Sequence, residues 1–154
     1  MNMFPPIEDL VPHDGDMRLI ARVIAEEGET VCAEAVIGRD NIFFHGEDGV
    51  PSYVGFELMA QTISAYDGLR RRRKNKPPAI GFLLGCRRYQ TARPYFREGE
   101  RLRIEVTSLL GEEGMASFQC KIGDETGAQV ASGTINVYRP ADPEAFLKGG
   151  EAQG

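Results

Sequence analysis

A chain of 154 residues, 42% apolar and 27% charged, is long enough for one domain with a buried core and too apolar to stay disordered. No apolar run approaches the ~20 residues of a membrane span, and residues 1–10 show neither a basic n-region nor an apolar h-region, so a cytoplasmic protein is expected. The net charge of −5 hides an asymmetry: residues 70–103 carry twelve of the eighteen Lys and Arg residues but only two acids, Glu98 and Glu100.

In chain order, residues 16–25 and 30–37 read as strands broken by the turn Glu27-Gly28-Glu29. The second shows a weak alternation of Val31, Ala33 and Ala35. From 53 to 73 the period becomes helical, with Phe56, Met59, Ile63 and Tyr66 forming one apolar stripe. Pro51 precedes this helix, Ser52 is its expected cap, and Pro77-Pro78 stops any continuation. Strand patterns return at 79–86, at 101–110 (Leu102, Ile104 and Val106 alternating), at 115–123 and at 129–138. Gly111-Glu112-Glu113-Gly114 and Asp124-Glu125-Thr126-Gly127 read as hairpin turns. A single domain, 1–140, is followed by a polar, Gly-rich tail, 141–154. This order of elements gives an α+β plan, an antiparallel sheet curled around one central helix.

The cysteines Cys32, Cys86 and Cys120 are widely spaced and odd in number, and with two histidines they make no zinc or disulfide pattern. Reduced thiols and no metal are expected. The basic segment has two readings. Arg70, Arg71, Arg72 and Arg73 suit the solvated last turn of a helix, where cations offset the dipole. Together with Arg87 and Arg88 they also suit docking of an acidic macromolecule. Nucleic acid is disfavoured by the acidic remainder of the chain and the lack of a nucleic-acid motif.

The densest chemistry lies in His45-Gly46-Glu47-Asp48-Gly49-Val50-Pro51-Ser52-Tyr53-Val54-Gly55-Phe56-Glu57-Leu58-Met59-Ala60-Gln61. It sets a histidine in a Gly-rich loop and a glutamate among apolar residues at a helix start. These are the side chains best suited to moving protons near neutral pH. Burying the Glu57 carboxylate there costs several kcal/mol, on the order of the transfer penalty for a lone charge, unless it is paired or protonated. Taken alone, His45 reads as an ordinary loop histidine and Glu57 as a polar-face residue. Their occurrence together in this block is what gives the acid–base reading.

Three blocks of the chain resemble hotdog-fold 3-hydroxyacyl-carrier-protein dehydratases of fatty acid and polyketide pathways. Leu10-Val11-Pro12-His13 with Met17-Arg18-Leu19-Ile20-Ala21-Arg22-Val23 is similar to that family's opening and first strand. Pro51-Ser52 through Glu57-Leu58-Met59-Ala60-Gln61 is similar to its turn and acid-bearing helix. Cys86-Arg87-Arg88-Tyr89 and Arg97-Glu98-Gly99-Glu100-Arg101-Leu102 complete the likeness. The loop between His45 and Glu57 is two residues shorter than the family's usual one, and Ser52 stands where that family has Gly. These features look closest to the divergent dehydratases of aryl-polyene-type pathways.

The resemblance implies a hotdog fold, no resident cofactor, and an acyl carrier protein that delivers substrate on phosphopantetheine. It implies a base at C2 of the acyl chain, His45, and an acid at the departing hydroxyl, Glu57. The N–H groups of Ser52 and Tyr53 are candidate donors to the enolate-like oxygen, and Gln61, one turn beyond Glu57, could orient its carboxyl. His13 reads as structural, a position that family does not use for chemistry. A dimer is implied, homodimeric or heterodimeric with another hotdog protein, with His45 of one subunit meeting Glu57 of the other. Carrier docking falls to Arg70, Arg71, Arg72, Arg73, Arg87 and Arg88. A hotdog thioesterase and a non-catalytic hotdog subunit supporting an active partner stay open as alternatives.

Overall fold

Apolar residues occupy more than one side of the helical segment, so a single flat neighbour cannot shield them. In the computed structural model, which describes residues 3–75, 82–109 and 114–138, this helix (α1, Gly55–Arg73) buries Leu58, Met59, Thr62, Ile63, Ala65, Tyr66 and Leu69 beneath an antiparallel sheet. Each large apolar side chain so removed from water contributes about 1.5–3 kcal/mol.

The sheet contains β1 (Arg22–Glu27), β2 (Thr30–Val36), β4 (Phe82–Thr91), β6 (Arg101–Leu109), β7 (Met115–Gly123) and β8 (Gln129–Tyr138). Their spatial order is β1-β2-β6-β7-β8-β4, and every neighbouring pair is antiparallel. A two-residue β3 (Val50–Pro51) pairs with β5 (Tyr95–Phe96). Side chains alternate as a half-covered sheet requires. Leu102, Ile104 and Val106 of β6 are buried while Arg101, Arg103 and Glu105 are exposed. In β7, Ala116, Phe118, Cys120 and Ile122 face the core. Helix α1 packs against β2, β6 and β7, and the Tyr66 and Phe118 rings meet edge-on at 5.2 Å. Cys32, Cys86 and Cys120 are free thiols, and burial pushes the Cys120 thiol up to about 12.

Several expectations shift. Residues 16–21 do not begin the first strand. A 3-10 turn at Gly15–Met17 and an extended run precede β1, because the Gln61 side chain takes the backbone groups of Met17, Leu19 and Ile20. Strand β4 runs on to Thr91 rather than ending at 86, since pairing with β8 continues while the Arg87 and Arg88 side chains stay exposed. Ser52 does not cap α1. A 3-10 turn, Ser52–Val54, leads into the helix, and the Gly55 N–H bonds backwards to the Ser52 and Tyr53 carbonyls, so backbone replaces the side-chain cap. The turn at 124–127 forms around Asp124, whose Oδ1 accepts from the Thr126 N–H, the Thr126 hydroxyl and the Ala128 N–H. Residues 79–81, 111–113 and the 141–154 tail lie outside the described residues. Among the described residues, no helix is long and apolar enough to cross a membrane.

Candidate active site

Glu57 lies in the first turn of α1, with its side chain 36% exposed. One turn on, Gln61 is fully buried, and its amide uses every hydrogen-bonding position it has. Its Oε1 accepts from the Leu19 N–H at 2.7 Å and the Ile20 N–H at 3.4 Å. Its Nε2 donates to the Met17 carbonyl at 2.7 Å and to Glu57 Oε1 at 3.2 Å. The glutamine therefore ties the N-terminal segment to α1 and orients the carboxylate at once. Among the described residues no donor reaches Glu57 Oε2, so that oxygen makes no internal hydrogen bond. A second group meets Oε1: His13 Nε2 lies 3.6 Å away, and His13 Nδ1 is buried without a partner among the described residues. Forty-four residues separate His13 from Glu57, and no sequence pattern announced the contact. The only hint was that His13 is one of two histidines in the chain.

The entrance to α1 is braced from β4. The Tyr89 hydroxyl donates to the Ser52 carbonyl at 2.5 Å, and burial, with Cys86 a lesser cause, pushes the Tyr89 phenol up to about 12. A β-carbon on Gly55 would lie 2.3 Å from the Tyr89 oxygen, so the glycine is what lets the tyrosine in. The ring is aimed by a bulge: the β4 register slips between Arg87 and Gln90, and Arg88 adopts φ +57 in the left-handed region. The Ser52 N–H, a candidate oxyanion donor, is engaged by the Pro94 carbonyl at 2.8 Å. That bond occupies a donor which the oxyanion reading assigned to substrate. Tyr53 is 67% exposed, and Ser52 is buried.

His45 sits apart. Its N–H donates to the Gly49 carbonyl at 2.7 Å, and its carbonyl accepts from the Asp48 and Gly49 N–H groups, closing a tight loop. Gly49 adopts φ +112 and faces the Phe96 carbonyl so closely that a β-carbon would lie 2.1 Å from it. The histidine is exposed, and among the described residues no carboxylate lies within 4 Å of its imidazole. Within one chain, Glu57 thus pairs with His13 and not with His45.

Much of the helix-end cationic cluster is committed internally. Arg70 contacts Glu29 at 3.0 Å and stacks over the Tyr66 ring at 4.4 Å. Arg72 reaches Asp9 at 3.9 Å, and Arg73 pairs with Glu26. Arg71, Arg87 and Arg88 have no carboxylate within 4 Å among the described residues.

A carboxylate with one oxygen held and one open, beside a helix entrance, is suited to proton transfer. Comparison with known proteins specifies the reaction class. The ApeP-like family, described as ApeP dehydratase, matches residues 5–148. The chain belongs to this dehydratase family. It is 30% identical to a chain of the dehydratase heterocomplex ApeI:P from Xenorhabdus doucetiae, with a TM-score of 0.83, over 94% of this chain and 97% of that one. More distant likenesses show the fold alone. The E. coli PaaI protein of the phenylacetic acid degradation operon is 12% identical (TM-score 0.61, 77% of this chain and 82% of that one). A hypothetical thioesterase protein with coenzyme A from Streptococcus pneumoniae TIGR4 is 13% identical (TM-score 0.58, 76% of this chain and 83% of that one). No curated protein sequence matches the chain. The dehydratase has the hotdog fold, its six-stranded antiparallel sheet wrapped around α1.

Proposed function

We propose that this dehydratase removes water from a 3-hydroxyacyl thioester borne on the phosphopantetheine arm of an acyl carrier protein, giving the trans-2-enoyl thioester. The observation that carries this reading is the Glu57 carboxylate, fixed through Oε1 by Gln61 while Oε2 stays open. His45 takes the C2 proton, the C–H electrons form the C2–C3 double bond, and the C3–O bond breaks. Glu57 gives its proton to the departing hydroxide, and transfer from His45 back to Glu57 resets the pair. The Tyr53 N–H serves the enolate-like oxygen. The exposed His45 loop belongs to a site completed between subunits, the loop histidine of one meeting Glu57 of the other. The 30% identity to a chain of a heterocomplex supports a second, different hotdog protein as that partner, with a homodimer as the alternative. Conjugated aryl polyene synthesis is the pathway favoured by the family. Carrier docking is assigned to the basic cluster of Arg70, Arg71, Arg72, Arg73, Arg87 and Arg88, led by the three with no carboxylate within 4 Å among the described residues, Arg71, Arg87 and Arg88.

Intact-mass analysis of a 3-hydroxyacyl carrier protein, incubated with the assembled enzyme, tests this. Loss of water from the acyl arm, slowed about 10²- to 10⁴-fold by His45→Ala and by Glu57→Gln, is the expected result. Release of free acid and carrier thiol would instead identify a thioesterase. Turnover untouched by either substitution would mark this chain as a non-catalytic supporting subunit. In the same assay, Arg71→Glu with Arg88→Glu should raise KM for the carrier-borne substrate in a salt-dependent way. An unchanged KM would remove the docking assignment.

A further inference from the structure

We propose that His13 is a positioning residue for Glu57, holding the carboxylate oxygen that does not meet substrate. The inference rests on the assignment of Glu57 as the acid of the dehydration. Three observations carry it. The first is the shared oxygen: the Gln61 amide and His13 Nε2 both approach Oε1, at 3.2 and 3.6 Å, and Oε2 is left open. The histidine contact is slightly longer than a hydrogen bond, as catalytic contacts often are before substrate tightens them.

The second is the tautomer that the surroundings select. His13 Nδ1 is buried with no partner among the described residues. A proton there would leave a buried N–H unsatisfied and turn a bare Nε2 lone pair toward the carboxylate. A proton on Nε2 leaves only an unused acceptor inside and points the N–H at Glu57, so the Nε2–H form is favoured.

The third is the way His13 is delivered. The N-terminal segment straps over α1 at two anchor points on the Glu57 face. At Gly68 the Leu10 backbone comes so close that a β-carbon would lie 2.1 Å from its carbonyl oxygen. At Gln61 the segment is bonded through Met17, Leu19 and Ile20. Residues 57, 61 and 68 are four and seven apart, one stripe of the helix. In sequence His13 lies between these anchors, so the segment that carries it to Glu57 is fixed to the helix on both sides of it.

The test compares His13→Leu, which removes the donor, with His13→Gln, whose amide can place an N–H near the Nε2 position, and Glu57→Gln, in the assembled enzyme with carrier-borne substrate. His13→Leu should lower kcat by about 30- to 100-fold, the scale of a misplaced reacting group, with KM within about twofold. His13→Gln should recover most of that loss, with both variants melting near the wild type. A His13→Leu enzyme as fast as wild type, beside an inactive Glu57→Gln, would overturn the inference and leave the acid assignment standing. A His13→Gln as slow as His13→Leu would also overturn it, since a donor alone would then not suffice. A fully active Glu57→Gln would overturn the acid assignment, and the inference with it.

Discussion

Gln61 has no exposed surface, and both of its side-chain polar atoms are doubly engaged. Its position four residues after Glu57 was legible from helical spacing, and so was its reach toward the carboxylate. Its partners in the 17–20 segment were not, because a contact across 41 to 44 residues leaves no periodic trace. Replacing it by Leu removes the side-chain partner of the Leu19 N–H and of the Met17 carbonyl, both in part-buried hydrogen bonds. With about 1–3 kcal/mol for each group so stranded, Tm should fall by roughly 5–15 °C. Thermal melting of Gln61→Leu checks this, and an unchanged Tm would mean that the strap finds other partners. His13 and Tyr89 belong to the same lesson: both touch the site through tertiary contacts that their neighbours in sequence do not foretell.

At the level of elements, the stripe Phe56, Met59, Ile63 and Tyr66 located α1, but the sheet covers more of the helix than a stripe implies. Leu58, Thr62, Ala65 and Leu69 are buried as well, while Phe56 is only partly so. Gly68 shows what that wrapping demands. An interior helical Gly→Ala change ordinarily gains about 1 kcal/mol. Here the new methyl would meet backbone, with Leu10 atoms at 2.1, 2.8 and 2.9 Å, and backbone cannot rotate away. Gly68→Ala should therefore destabilise by about 1–3 kcal/mol, as overpacking does. Gly85→Ala in β4, where a β-carbon meets nothing within 4 Å, is the control that should stay near wild type. Denaturant titration of both variants separates the two cases, and a stabilised Gly68→Ala would show the strap to be loosely held.

Across the whole molecule, the excess of cations in 70–103 is answered by acids elsewhere in the chain: Glu29, Glu26 and Asp9 meet the end of α1, and Glu34 lies between Arg22 and Arg101. Arg93 and Glu100 form a two-fold bridge at 2.7 and 2.6 Å, each side chain about one fifth exposed. Burial pushes the Glu100 carboxyl up, but the Arg93 hydrogen bonds, the Arg97 N–H and the Arg93 charge outweigh it, and the net displacement is below the ordinary 4.5. The Thr126 hydroxyl chiefly lowers Asp124, and the Tyr66 hydroxyl chiefly lowers Glu29. A carboxylate lowered on folding stabilises fully above its unfolded value and loses that contribution as pH falls through the folded one. Tm should thus hold steady above about pH 5 and decline below it. Glu100→Gln should lower Tm at pH 7 by roughly 2–8 °C, from about 1–2 kcal/mol of charged hydrogen bonding, and flatten the acid decline. Melting curves from pH 7 to 3 measure both, and an acid limb as steep in Glu100→Gln as in wild type would place the effect elsewhere.

The sequence by itself determined the α+β plan, the long helix, the sheet strands from β6 to β8 and the block holding His45 and Glu57, because each is written in local periodicity, turn chemistry or a contiguous motif. Tertiary structure decided which histidine stands beside Glu57 within the chain, which oxygen of that carboxylate is held, that the Ser52 N–H is occupied, and which arginines remain unpaired. Those outcomes depend on where separate segments meet after the sheet has closed over α1. Contacts between distant residues are set by packing and hydrogen-bond satisfaction of the whole fold, and no local pattern encodes them.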